Sequence, residues 1–95
     1  MKHCIIVKFK PGVVTEEHLD DIGAIFDKTK DIPGIHDISL IPGANIERGN
    51  RYDLMIEMSM ESSSLPVYDA CAAHHEWKDK YGELIEKKCI FDYDA

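Results

Sequence analysis

Residues 2–9, KHCIIVKF, read as a strand that is apolar on both of its faces. Successive side chains of a strand point to opposite sides of the sheet. The odd positions therefore form one apolar face and the even positions a second: His3, Ile5, Val7, Phe9 against Cys4, Ile6. A strand covered on both sides lies in the middle of a sheet, with helices on one face and a further layer on the other.

The segments that follow alternate between helical and extended patterns. Thr15 is a predicted N-cap, and Leu19, Ile22 and Phe26 recur at the spacing of an amphipathic helix. Further strands are predicted at 35–41, 52–60 and 88–94, with a second helix, broken in two, before the last of them. The order βαββαβ predicts one α+β domain over residues 1–95, with a ferredoxin-like, four-stranded antiparallel sheet and helices on one face.

The other face of this sheet carries Cys4, Ile6 and Met55 and would be exposed in a single copy. An exposed apolar face of this kind is typical of an interface between subunits. A chain of 95 residues also buries a smaller fraction of its surface than a longer one does. The sequence therefore predicts a homodimer through the sheet face, in which two sheets form a dimeric α/β barrel.

Composition and charge exclude several classes of function. The net charge is −7, which argues against nucleic acid or an anionic membrane as a partner, because both bind basic surfaces. No segment has the length of a signal-peptide core or of a membrane span. The three cysteines are odd in number and lack metal-type spacing, so we predict reduced thiols and a cytoplasmic location, with no cofactor.

The segment YDACAAHHEW at residues 68–77 concentrates a phenol, a thiol and two imidazoles. Tyr68 and His74 are six residues apart, which at about 100° per residue places them about 240° apart on a continuous helix. Their side chains can meet only if the helix breaks between Cys71 and His74, although Ala72 and Ala73 would allow it to continue. After the break, the apolar stripe predicts a second helix with these inward positions: His74, Trp77, Tyr81, Leu84, Ile85.

Two interpretations of this segment remain open. If Tyr68 and His74 converge, a neutral imidazole could remove a proton next to a carbonyl while the phenol donates to the developing enolate. Otherwise both rings are packed core residues with local hydrogen bonds. His75 diverges from His74 by about 100° on a helix, so the pair does not form a metal site.

The chain resembles the stress-responsive A/B barrel (Dabb) family along nearly its full length. Each matching segment is short, and it is their order and spacing together that are specific. The matching segments are KHCIIVKFKPGV at 2–13, IPGI at 32–35, Gly43-Ala44-Asn45-Ile46, Tyr52-Asp53, Tyr68–Trp77 and IFDYD at 90–94. The resemblance implies a ferredoxin-like homodimer, in agreement with the pattern of strands and helices.

A plant branch of that family comprises polyketide cyclases that work without metal or cofactor. The resemblance implies an acid–base pair at Tyr68 and His74 and a pocket histidine at His3. Two other polar pocket positions of the cyclases are apolar in this chain, at Leu54 and Ile25. The common His-Pro-x-His pattern of the family is replaced by Cys71-Ala72-Ala73-His74.

Three hypotheses follow. We favour a homodimeric, stress-related domain that binds a small apolar ligand between sheet and helices. Its predicted pocket is lined by His3, Ile5, Leu54, Ile56, Cys71 and Trp77. The alternative is a cofactor-independent cyclase or related proton-transfer enzyme that uses Tyr68 and His74 as its catalytic pair. The third is a structural or regulatory dimer with no pocket.

Overall fold

The computed structural model describes residues 1–95. Its main elements are β1 (Lys2–Phe9), α1 (Leu19–Asp27), β2 (Ile35–Pro42), β3 (Leu54–Met60), α2 (Leu65–Ala70), α3 (Ala72–Tyr81) and β4 (Ile85–Tyr93). The strands form one sheet in the order β2-β3-β1-β4, and every neighbouring pair is antiparallel. The predicted α+β, ferredoxin-like fold is confirmed, and β1 lies in the middle of the sheet, as its two apolar faces require.

The core lies between the inner face of the sheet and the helices. β1 and β3 contribute alternate side chains to it, and α1 contributes Ile22, Ile25 and Phe26. Trp77 of α3 is the largest fully buried side chain, and its ring lies 5.3 Å from those of both Phe26 and Tyr81. The contact between Trp77 and Phe26 fixes α3 against α1.

The outer face of the sheet is apolar and uncovered in a single copy. Its most exposed large side chains are Ile41, Phe91 and Tyr93. A polar contact crosses this face, where the Tyr93 hydroxyl donates to Glu57 Oε1 at 2.9 Å. Such a surface fits the predicted packing of two sheets.

The three cysteines are all free thiols. Cys4 is buried, and Cys89 is exposed on the same outer face. The register pairs Cys4 with Phe91 and Ile6 with Cys89, so the two thiols are diagonal rather than directly opposite.

Two predictions of local structure are wrong. Thr15 is not the N-cap of α1, because a 3₁₀ turn at Thr15–Glu17 precedes the helix and its backbone N–H groups bond to backbone carbonyls. The second helical stripe ends early, since α3 ends at Tyr81, Leu84 lies in a 3₁₀ turn and Ile85 begins β4. None of the helices has the length and apolar character needed to cross a bilayer.

Candidate functional site

The helix break predicted near Cys71 is confirmed and lies at Cys71 itself. This residue is extended, with φ −76° and ψ 158°, between the last residue of α2 and the first of α3. Its Sγ accepts a hydrogen bond from the backbone N–H of His74 at 3.4 Å, and Cys71 thereby serves as the N-cap of α3. A side chain that caps the next helix is the physical reason that the chain breaks here without a proline.

The break brings Tyr68 and His74 together. Their ring centroids are 4.8 Å apart and the ring planes are tilted by 48°. His74 Nδ1 lies 2.8 Å from the backbone carbonyl oxygen of Asp69. Because a carbonyl can only accept, Nδ1 carries the proton and donates, which leaves Nε2 as the unprotonated nitrogen of the neutral ring.

A second imidazole approaches Tyr68 from β1. The His3 ring is nearly buried and meets the Tyr68 ring edge to face, with centroids 5.5 Å apart. Its Nδ1 donates to Asp92 Oδ1 on β4 at 2.5 Å. Neither His3 nor His74 has a protein partner for its Nε2, and neither of these atoms is buried, so both are available to a bound molecule.

The Tyr68 hydroxyl is the one buried side-chain polar atom with no hydrogen-bond partner in the protein. Tyr68 is only 1% exposed. Burial raises the pKa of this hydroxyl, and the nearby thiol of Cys71 and carboxylate of Asp69 raise it further. The phenol is therefore neutral at physiological pH and is a hydrogen-bond donor rather than a base.

These groups line a cavity of about 270 Å³ between α2, α3 and the inner face of β1 and β4. Its lining is His3, Ile5, Leu65, Tyr68, Asp69, His74, Trp77, Lys78, Lys88, Ile90 and Asp92. The lining is more polar than the apolar pocket that the sequence predicts.

The structure places only some of the predicted pocket residues at this cavity. His3, Ile5 and Trp77 line it together with Tyr68 and His74, whereas Leu54, Ile56 and Cys71 do not. Leu54 and Ile56 point to the same face as His3 but belong to the closed core, because β3 lies on the side of β1 away from β4. Cys71 is partly buried at the helix junction, where its sulfur is used as a cap.

Sequence reasoning missed four charged residues of the lining, Asp69, Lys78, Lys88 and Asp92. Asp92 and Ile90 share one face of β4 and alternate with Phe91 on the other, and the register places Asp92 directly opposite His3 on β1. The alternation was visible in the sequence, but the pairing of β1 with β4 and its register were not.

A second cavity, of about 360 Å³, lies at another end of the molecule between residues 13–16 and the loop at 42–53. Its carboxylate Asp53 already accepts a hydrogen bond from the backbone N–H of Phe9 at 2.7 Å. No unpartnered buried polar atom faces this cavity. No group of three or more potential metal-ligating side chains occurs in the molecule. The cavity beside Tyr68 is therefore the candidate functional site.

Comparison with known proteins identifies the family. The model of the Stress responsive A/B Barrel Domain (Dabb) matches residues 1–95. The chain belongs to this family. Comparison with curated protein sequences finds no significant match.

Several solved structures share the fold. A crystal structure of an Arabidopsis thaliana protein is 22% identical, with a TM-score of 0.77, covering 99% of this chain and 93% of that one. A dimeric, ferredoxin-like protein of unknown function from Bacteroides fragilis is 19% identical, with a TM-score of 0.70 and coverage of 99% and 94%. A hydroxynitrile lyase from Passiflora edulis is 15% identical, with a TM-score of 0.71 and coverage of 97% and 89%. At these identities the likeness shows the fold.

Proposed function

We propose that this domain binds a small organic ligand in the cavity between α2, α3 and the β1–β4 pair, and that the Tyr68 hydroxyl donates a hydrogen bond to it. The observation that supports the proposal is the unpartnered hydroxyl of Tyr68. A buried hydroxyl without a partner costs free energy that a bound acceptor recovers. With His3 Nε2 and His74 Nε2 free beside it, the site offers three polar groups next to the apolar side chains of Ile5, Leu65, Trp77 and Ile90.

Binding can be tested with a panel of one-ring carbonyl compounds that includes 4-acetylbenzamide, whose ketone oxygen is a hydrogen-bond acceptor. We expect these compounds to shift the NMR signals of the His74 ring and of the Trp77 indole. The Tyr68→Phe variant should lose most of this affinity, because it removes the donor and keeps the ring. A matched control is Tyr81→Phe, whose hydroxyl already donates to Asp21 Oδ2 and does not line the cavity. Unchanged binding by Tyr68→Phe would contradict the role of the hydroxyl.

A second candidate function is proton transfer, in which His74 Nε2 is the base and the neutral Tyr68 phenol is the acid. It is supported by the hydrogen bond from His74 Nδ1 to the Asp69 carbonyl, which fixes the tautomer that leaves Nε2 unprotonated. The neutral donor and the neutral base lie side by side, as enolisation of a carbonyl compound requires.

This candidate predicts exchange of the methyl protons of 4-acetylbenzamide in D₂O, accelerated by about 10²–10⁴-fold over buffer. The His74→Gln variant should abolish the acceleration, while His75→Gln should keep it, because His75 is exposed and outside the cavity. Since a hydroxynitrile lyase shares the fold, a hydroxynitrile should be tested in parallel as a second substrate. Equal exchange with and without protein would eliminate the proton-transfer candidate and leave the binding proposal standing.

We further propose that the molecule is a homodimer through the outer sheet face and that it has a stress-related role in the cytoplasm, where its three thiols stay reduced. The dimeric neighbours and the exposed side chains of Phe91, Ile41 and Tyr93 support the interface. Light scattering should show a dimer for the wild type and a monomer for Phe91→Asp. Val67→Asp is the control, because Val67 is nearly as exposed as Phe91 but lies on α2. A monomeric wild type at micromolar concentration would contradict the interface.

A further inference from the structure

We propose that the ligand of this cavity is a small organic carboxylate, with its anionic group between Lys78 and Lys88 and a carbonyl or hydroxyl group against Tyr68. This inference rests on the proposed function and specifies the substrate class of the same site. It is supported by the distribution of charge along the cavity, by the absence of protein partners for two lysines, and by the distance between the two ends.

The connection between α3 and β4 gives the cavity two different ends. α3 runs toward the 3₁₀ turn at Gly82–Leu84, and β4 runs away from it. Of the lining residues on these two elements, Lys78 and Lys88 are the closest in sequence to this turn, and His74 and Asp92 are the most distant. The two lysines therefore share one end of the cavity, and the acid–base groups share the other.

The end that contains Tyr68 disfavours an anion. The carboxylate of Asp69 is adjacent in sequence to Tyr68 and raises the pKa of its hydroxyl. Asp92 lines the same end and is bonded to His3. A ligand with one negative group is thus oriented by repulsion at this end and attraction at the other.

Lys78 and Lys88 have no ion pair with the rest of the chain. Four of the seven other lysines form such pairs, each with an Asp or Glu side chain: Lys8, Lys28, Lys30 and Lys80. Lys2, Lys10 and Lys87 also form none, but Lys78 and Lys88 are the two unpaired lysines that line the cavity. The chain as a whole has a net charge of −7, so acidic partners are plentiful. Two unpaired cations at one end of a cavity in an acidic protein are a positive local field that suits an anionic ligand.

The distance between the two ends restricts the size of the ligand. Four residues of helix separate His74 from Lys78, a rise of about 6 Å, and four residues of strand separate Lys88 from Asp92, about 13 Å. A one-ring compound with a carboxylate at one end and a carbonyl at the other fits this range and the 270 Å³ volume. Long linear molecules are too large for this cavity.

The test compares two compounds that differ in charge and hardly in shape, 4-acetylbenzoate and 4-acetylbenzamide. Their dissociation constants are measured at pH 7 by NMR titration of the wild type, of Lys78→Gln, of Lys88→Gln and of the double variant. Lys87→Gln is the matched control. Lys87 is next to Lys88 in the sequence, but it lies on the outer face of the sheet, opposite Lys8 in the register of β1 and β4. Added NaCl provides a further check, since salt screens exposed charges.

We expect the carboxylate to bind the wild type about tenfold more tightly than the amide, since two partly exposed ion pairs each contribute modestly. The preference should fall below about twofold in the double variant, persist in Lys87→Gln and shrink with salt. Equal binding of the two compounds, or an unchanged preference in the double variant, would overturn the inference while leaving a ligand site at Tyr68. If neither these compounds nor the rest of the panel bind, the proposed function itself is wrong.

Discussion

Replacement of Tyr68 by Phe should stabilise the protein, although most truncations of buried side chains lower the stability of a protein. Tyr68 is 1% exposed, and its hydroxyl has no partner in the protein. The substitution keeps the ring and its contacts with His3 and His74. It therefore removes only a polar group that is desolvated on folding.

The size of the effect follows from the cost of desolvation. An unsatisfied buried hydroxyl costs about 1–3 kcal/mol, and we expect Tyr68→Phe to recover about 1 kcal/mol, the low end of this range, because the cavity beside the ring admits water. For a domain of this size, 1 kcal/mol corresponds to an increase of about 4–8 °C in Tm.

Tyr81→Phe is a matched control, for which we expect a loss of stability rather than a gain. Tyr81 is also nearly buried, at 2% exposure, but its hydroxyl donates to Asp21 Oδ2 at 2.5 Å. Hydrogen bonds to charged groups contribute about 1.5–3 kcal/mol. Because Asp21 is at the surface and keeps its ion pair with Lys80 at 2.8 Å, we expect Tyr81→Phe to lose about 1.5 kcal/mol, the low end of this range.

Urea unfolding followed by the fluorescence of Trp77, the single tryptophan, measures both variants. Protein concentration must be held constant, because association contributes to the stability of a dimer. An unchanged m-value would show that the variants alter stability and not the denatured state. A loss of 1 kcal/mol or more in Tyr68→Phe would refute the reasoning, because it would mean that the hydroxyl has a partner in the folded protein.

Three further predictions concern local structure and pH. Cys71→Ser should raise the free energy of unfolding by about 0.5–1 kcal/mol, because a hydroxyl is a better N-cap acceptor than a thiol for α3. Gly34→Ala should lower it by about 1–3 kcal/mol, because Gly34 has φ +91° and an added Cβ would lie 2.2 Å from Ser64 Oγ. Hydrogen bonds from Lys80 and Tyr81 lower the pKa of Asp21, so its contribution to stability is present above its ordinary pKa near 4 and is lost as the pH falls through the lowered value. Asp21→Asn should therefore lose less stability than the wild type between pH 5 and pH 2 in urea titrations.

Each of these three predictions has its own control. Cys71→Ala removes the cap acceptor and should be less stable than Cys71→Ser; the reverse order would show that the sulfur does not cap α3. Gly82→Ala should not destabilise, since a Cβ there meets open space, and a loss as large as that of Gly34→Ala would contradict the steric argument. Parallel acid profiles of wild type and Asp21→Asn would show that this carboxylate is not the group that titrates.

The fold was predictable from the sequence because its main signals are periodic and local. The two-faced apolar pattern of residues 2–9 places β1 in the middle of the sheet, and the helical spacing of Leu19, Ile22 and Phe26 gives α1. The ends of the helices were less predictable. Thr15 has the chemistry of a cap, yet a 3₁₀ turn satisfies the same backbone groups and postpones the helix to Leu19.

The candidate site was only partly predictable, because it depends both on a local break between two helices and on the long-range pairing of two strands. The convergence of Tyr68 with His74 depends on one backbone angle at Cys71, and the sequence permitted the break without requiring it. The roles of Asp92 and Lys88 depend on the register between β1 and β4, which no local pattern encodes. Leu54 and Ile56 were predicted as pocket residues from their face alone, without knowledge of the strand order.

Because β4 is an edge strand, the cavity is intact only while β4 stays paired with β1. β4 pairs with β1 alone, and the bond between His3 and Asp92 joins residues that are 89 positions apart in the chain. Edge strands exchange their amide hydrogens through local openings that leave the rest of a domain intact. An opening of β4 would separate Asp92 and Lys88 from α3 and remove one wall of the cavity, whereas Tyr68 and His74, both on helices, would stay together. A molecule held between β4 and α3 would therefore slow amide exchange along Ile85–Tyr93 far more than along β2, the opposite edge.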